Sequence, residues 1–219
     1  MAPSKVFGNP ITNETLKAMP EYANKETITG EDRAQVALNL RDNVVKFAEE
    51  LLEQSFGPGD VKTIGIIYNA TGHTLKYTFN HDWCGHVDKS YPKEIENGQF
   101  ATFLHVGDHP KGFALCTSPK ESIGAVAYFA NNGLRGGFCN WIFAWYNVEN
   151  KENKIFTELQ APQVVEQNWE AIREKLESSA CKEQSAYAYG FKATVIIGNA
   201  NPPPVIATIT FGGLPPPNA

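Results

Sequence analysis

Apolar positions change their rhythm near residue 60 of this 219-residue chain. Before that point Val36, Leu40, Val44, Phe47 and Leu51 recur at steps of three or four, which gathers them on one face of an α-helix. Thr29 followed by Asp32 supplies a capping-box pattern at the start, and Gly57-Pro58-Gly59 supplies a stop. The spacing predicts one amphipathic helix over about residues 30–55. Residues 1–28, broken by Gly8, Pro10 and Pro20, read as an irregular N-terminal arm.

Beyond residue 60 the period shortens to two, the signature of strands with one face buried. Residues 64–69 and 74–79 flank Asn69-Ala70-Thr71-Gly72 and read as a hairpin. Further strands are predicted at 83–87, 99–106, 113–117, 123–129, 138–146 and 154–159, each bounded by Gly, Asn or Pro. A second helix is predicted over 164–177, with Val165, Trp169, Ile172 and Leu176 on one face. Tyr187, Tyr189, Phe191, Ala193, Val195 and Ile197 alternate as one strand, and 205–211 form another after Pro202-Pro203-Pro204. Short strands at this spacing predict a mainly β chain, an antiparallel β-sandwich with both helices packed on it. Residues 29–211 form its single domain, and 212–219 form a proline-rich tail.

Composition narrows the function. Hydrophobic residues make up 42% and charged residues 20% of the chain, as in a folded globular protein. A net charge of -5 without clustered Lys or Arg excludes the usual electrostatic route to nucleic acid, and weakens simple attraction to an anionic membrane. No stretch reaches the ~20 apolar residues of a membrane-spanning helix, and MAPSKVFGNPITNETLKAMPEY lacks the apolar core of a signal peptide. The expectation is a cytoplasmic or nucleocytoplasmic protein. There Cys84, Cys116, Cys139 and Cys181, which form no CxxC pair, stay reduced, and the sequons at Asn13 and Asn69 stay unglycosylated.

The densest reactive cluster is His81-Asp82-Trp83-Cys84-Gly85-His86. A regular strand would put Asp82, Cys84 and His86 on one face as metal ligands, with His105 or His109 as the distant source of a fourth. A metal protein or thiol enzyme built there is the lesser alternative. The chain carries no GxSxG, HExxH, P-loop or dinucleotide glycine pattern, so the expectation is a non-catalytic protein without a cofactor.

Aromatic side chains point to binding. The run 141–146 reads as a strand buried on both faces, whereas Trp83 and Tyr91 sit among polar, Gly- and Pro-containing neighbours and are expected at the surface. Trp83, Tyr91, His86 and Tyr146 form the candidate ligand-binding set, suited to a lipid headgroup or a glycan. The competing expectation is an abundant structural or storage-like protein that acts through protein partners, with the aromatics in its core. Burial of Trp83 and Tyr91 would favour it. The first helix holds six acidic against three basic residues between Gly30 and Ser55, which favours docking on its own sandwich over membrane insertion. Nothing in the sequence opposes self-association.

Several blocks carry a family resemblance: VFGNPITNETLKAMPEY, EDRAQVAL, YNATGHTLKY, Asp82-Trp83-x-Gly85, YPKEIENGQFATFLHV and GAVAYFANN. Together they resemble the jasmonate-induced proteins of plants over about residues 6–198. That resemblance implies a protein accumulated under jasmonate, wounding or osmotic stress, and supplies no catalytic residues. More distantly the family is similar to nakanori and the actinoporin-like lipid-binding proteins, which implies an actinoporin-like β-sandwich and a membrane lipid as partner.

Overall fold

The structure is a computed structural model that describes residues 5–53, 61–108, 120–162, 168–199 and 202–215. The strand expected at 113–117, His109, Cys116 and the first residues of the expected second helix lie outside the described residues, as do the side chains of Val44, Phe47 and Leu51. In chain order the elements are β1 (Lys5–Phe7), α1 (Asn13–Lys17), α2 (Gly30–Glu53), β2 (Lys62–Ala70), β3 (Leu75–Cys84), β4 (His86–Val87) and β5 (Glu94–Ile95). They continue as β6 (Phe100–Val106), β7 (Glu121–Asn131), β8 (Phe138–Val148), β9 (Lys154–Gln160), α3 (Trp169–Ser178), β10 (Glu183–Ala188), β11 (Phe191–Ile197) and β12 (Pro204–Phe211).

Two sheets face each other, as the alternation predicts. One runs β1-β6-β2-β12-β11-β10, with β4 also paired to β6, and the other runs β5-β3-β7-β8-β9. From β8, Trp141, Phe143 and Trp145 point into the space between the sheets, where Phe191, Ala193, Val195 and Ile197 of β11 meet them. The intervening Ile142 and Ala144 turn outward and are covered by Ile172 and Leu176 of α3. The 141–146 run is therefore buried on both faces. On the outer side of the other sheet, α2 covers β2 through small residues, Ala34 and Ala37, and the Tyr68 hydroxyl donates to the Ala37 carbonyl at 2.6 Å. No helix among the described residues is long and apolar enough to cross a membrane.

The structure departs from the sequence reading at five places. The sandwich is not purely antiparallel, because β2 runs parallel to β12. Residues 64–79 are not a hairpin: β2 and β3 belong to different sheets. Asn69 holds that crossover, its Nδ2 donating to the carbonyls of His73 and Ile95 while its Oδ1 accepts from the N–H and hydroxyl of Thr71. Residues 187–197 are two strands, since Tyr189 (φ 53°) and Gly190 (φ 75°) make a two-residue turn between β10 and β11. The N-terminal arm is ordered, with β1 paired to β6 and a Thr12–Thr15 capping box starting α1. The Thr29–Asp32 box forms as expected, yet Leu40 is 43% exposed, because the contact centres on alanines that a pattern of large side chains does not weigh.

Gly65 shows how tightly the two sheets close. A Cβ there would lie 2.0 Å from Phe103 Cε1, and the Phe103 ring is itself held by Tyr91, Phe143 and Trp145. Gly65→Ala is expected to cost about 1–3 kcal/mol by overpacking. Urea unfolding should show a lower midpoint with an unchanged m-value.

Candidate functional site

The structure does not bring the four residues selected from sequence into one site: only Trp83 and Tyr146 share a cluster. Tyr91 is only 5% exposed, stacked on Tyr77 at 6.0 Å and edge-on to Phe103 at 4.9 Å, with its hydroxyl donating to Asp82 Oδ1. It is a core residue and not part of an exposed surface. Lys89, at φ 76°, and Ser90 take the solvent-facing turn that its polar surroundings suggested. Trp83 is half-buried on the outer face of the second sheet, edge-on to Trp169 at 6.1 Å and to His81 at 5.1 Å, while His81 stacks on Trp169 at 4.9 Å. Tyr146 packs on the same outer cluster, beside α3. His86 stands apart at the edge of the other sheet, exposed, with Nδ1 3.2 Å from Asp108 Oδ2.

Among the described residues Asp82, Cys84 and His86 do not gather as a metal-ligand set. A register irregularity between Asp82 and Cys84 breaks the period of two. Asp82 turns inward to Tyr91 and His105, Cys84 donates to the Asp108 carbonyl, and His86 pairs with the Asp108 side chain. Of the thiols among the described residues, Cys84 is half-buried, Cys181 is exposed, and burial pushes the Cys139 thiol up to about 12.

Asp82 opens a polar row through the core that looks at first like a catalytic triad. His105 Nδ1 lies 2.8 Å from Ser122 Oγ, which lies 2.8 Å from Thr63 Oγ1, and His105 Nε2 approaches Asp82 Oδ1 at 3.4 Å without hydrogen-bond geometry. His105, Ser122 and Thr63 have no exposed surface. A serine nucleophile must meet a substrate carbonyl, and this one is spent on Thr63 inside the sandwich. The row fastens the two sheets together.

It also sets a pH dependence. Burial pushes the His105 imidazole below its ordinary range, against the pull of Asp82. Burial pushes the Asp82 carboxyl up, but His105, Tyr91 and Asn80 outweigh it and hold it below the usual carboxylate range. With a histidine depressed in the folded state, the unfolded chain takes up the proton first, so this stability is complete above about pH 6.5 and lost as pH falls below it. Scanning calorimetry should give a lower Tm at pH 5 than at pH 7. His105→Gln should narrow that difference without erasing it, since burial also lowers His73 and His81. An undiminished difference in the variant would contradict the role given to His105.

Exposed apolar side chains concentrate at one end of the sandwich. Leu134 (58% exposed) lies in the β7–β8 connection and Phe138 (38%) opens β8, while Tyr187 (69%) and Tyr189 (41%) belong to the β10–β11 hairpin. Asn132 ties the two tips, its Nδ2 reaching the carbonyls of Tyr189 and Gly190 at 3.4 and 3.3 Å. Beside Tyr187 a groove of about 610 Å³ runs between α2 and the outer face of β10, β11 and β12. A smaller concavity of about 330 Å³ lies near Arg33, which is already occupied by Gly72 and Asn13.

Residues 7–210 match the family model described as Nakanori-like protein. The chain belongs to this Nakanori-like family. It is 36% identical over 205 residues to the 23 kDa jasmonate-induced protein of Hordeum vulgare, covering 88% of this chain and 91% of that protein. The resemblance read from the sequence blocks is thus borne out. The solved structure of the lipid-binding protein Nakanori shares the fold at a TM-score of 0.76 and 23% identity, over 94% of this chain and 100% of that one. A Xerocomus chrysenteron lectin aligns at a TM-score of only 0.41, with 13% identity over 68% of this chain and 100% of the lectin. Of the sequence blocks that carry the resemblance, YNATGHTLKY contains the crossover residue Asn69, and GAVAYFANN ends at Asn132.

In this Nakanori-like chain, sequence reasoning missed Leu134, Phe138, Tyr187 and Tyr189. Two signals were available. Leu134-Arg135 is a bulky pair between Gly133 and Gly136, and Tyr189-Gly190 interrupts an alternating run with a dipeptide able to turn.

Proposed function

We propose that this protein is a non-catalytic lipid-binding protein that docks on a membrane through the end of the sandwich carrying Leu134, Phe138, Tyr187 and Tyr189. The observation that carries this reading is the clustering itself: of six large hydrophobic residues exposed among the described residues, four lie on two hairpins joined by Asn132. Clustered exposed apolar groups mark interaction surfaces, whereas isolated ones do not. Tyr189 adds a second hint. It holds a left-handed backbone conformation that favours Asn, Asp or Gly, so an aromatic ring is kept at the tip against local preference.

Tyrosine suits the boundary between lipid headgroups and acyl chains because its ring is apolar and its hydroxyl is polar. Arg135, exposed between the glycines of the neighbouring tip, is placed to meet a lipid phosphate. Two named relatives support the reading from outside the geometry: Nakanori is a lipid-binding protein, and the Hordeum vulgare protein is jasmonate-induced. We place this protein in a stress or defence setting, on a membrane reached from the cytoplasm. Flotation of the purified chain with vesicles of sphingolipid, sterol and anionic composition tests the reading. Retention on at least one composition is expected, and no retention on any would overturn it.

A further inference from the structure

The groove beside Tyr187 has a chemistry of its own. Strand register lines up two rows across its floor, Ser185–Thr194–Thr208 and Tyr187–Lys192–Thr210. α2 packs over β2, β6 and β12, and Gly213, Leu214 and Pro215 after β12 line the groove together with the outer faces of β10 and β11. Arg41 leans from α2 into the groove, its Nε donating to Thr208 Oγ1 at 3.1 Å and its Nη1 to Asp42 Oδ1 at 2.9 Å. Lys192 Nζ stands 5.5 Å from the centre of the Tyr187 ring. Hydroxyl rows alone are what any solvent-facing strand carries. The highly exposed Tyr187 and the Arg41 side chain drawn onto the floor set this face apart.

We propose that this groove binds a sugar ring and that, given the lipid-binding reading above on which this step rests, the sugar is the headgroup of a glycolipid. Charged residues in the lining balance, with Arg41 and Lys192 set against Asp42 and Glu183. Donors, acceptors and hydroxyls that accept and donate are therefore mixed around the groove, Arg41 and Asp42 from α2 and Glu183 and Lys192 from the sheet. That mixture matches a ligand whose own groups both donate and accept, as sugar hydroxyls do. Lys192 stands over one face of the Tyr187 ring, and the opposite face is the apolar plate assigned to the C–H face of the sugar. A choline group fits worse, because its cation would meet Lys192 on the one exposed aromatic ring of the lining and Arg41 beside it. A bare phosphate would be driven against Asp42 and Glu183. The lining reaches Tyr187, two residues before Tyr189 at the tip of the β10–β11 hairpin, so a headgroup against Tyr187 lies close to the proposed membrane contact.

Amide spectra of the 15N-labelled full chain, titrated with methyl glycosides of glucose, galactose and mannose, test the groove. At least one glycoside should shift Ser185, Thr194 and Thr208, and Tyr187→Ala should weaken that binding about tenfold while leaving the rest of the spectrum in place. In parallel, phosphatidylcholine vesicles with glucosylceramide or galactosylceramide should retain more protein than plain ones, and the gain should vanish in Tyr187→Ala. Vesicle retention without a groove shift for any glycoside overturns the sugar site and leaves the lipid-binding reading standing. Groove shifts without vesicle retention overturn the headgroup assignment and identify a site for free glycans.

Discussion

Replacing Leu134 and Tyr189 together by aspartate is expected to cut vesicle retention by about a hundredfold or more. Each side chain, if buried in the interface, contributes about 1.5–3 kcal/mol of transfer free energy. Losing two contributions of that size removes at least about 3 kcal/mol, and each 1.4 kcal/mol is a factor of ten. Introduced carboxylates add a desolvation cost in the same direction. The folded state should tolerate both changes. Leu134 and Tyr189 are exposed, and aspartate suits the left-handed conformation at 189 better than tyrosine does. An unchanged melting curve with lost flotation is the expected pair of results. Retained flotation would move the membrane contact away from the hairpin end.

Trp145→Ala is expected to have the largest effect on stability, about 3–5 kcal/mol, as for other buried tryptophans cut to alanine. Trp145 is fully buried, 5.3 Å from Phe103, 6.4 Å from Phe143 and 5.0 Å from His105 between ring centres, and its Cζ2 lies close over Gly124. Truncation opens a cavity where the two sheets and the polar row meet. In a domain of this size the loss corresponds to a Tm lower by roughly 6–20 °C. Trp83→Ala should cost clearly less, because that ring is only half-buried on the outer face. Equal losses at the two positions would mean that the outer aromatic cluster matters to the fold as much as the core between the sheets.

What the sequence revealed, and what it hid, follows from how far each signal reaches. The strands of the second sheet were legible because Trp141, Phe143 and Trp145 alternate with residues that need a different cover, α3. The β2–β3 crossover was not, because a turn that changes sheets and a turn that closes a hairpin use the same residues; Asn69 decides between them through bonds to His73 and Ile95. Tyr91 was misplaced because polar neighbours describe the chain around a residue and not the direction of its side chain. Tyr187 and Tyr189 were hidden inside an alternation they share with the core residues Phe191, Ala193 and Val195, and only the turn at 189–190 releases them. Exposure of an aromatic depends on where strands end, which is the least local feature of a β protein.

The central claim is the direction in which the sandwich meets a membrane. A nitroxide at position 134 (Leu134→Cys) and, separately, one at position 149 (Glu149→Cys), each with the exposed Cys181 changed to serine, report it through accessibility to oxygen and to a water-soluble nickel chelate. β8 starts at Phe138 and ends at Val148, so position 149 marks the opposite end of the molecule. With vesicles that retain the protein, the label at 134 should gain oxygen contact and lose nickel contact, while the label at 149 stays in water. Entry of the label at 149 into lipid, with the label at 134 left in water, would contradict the account.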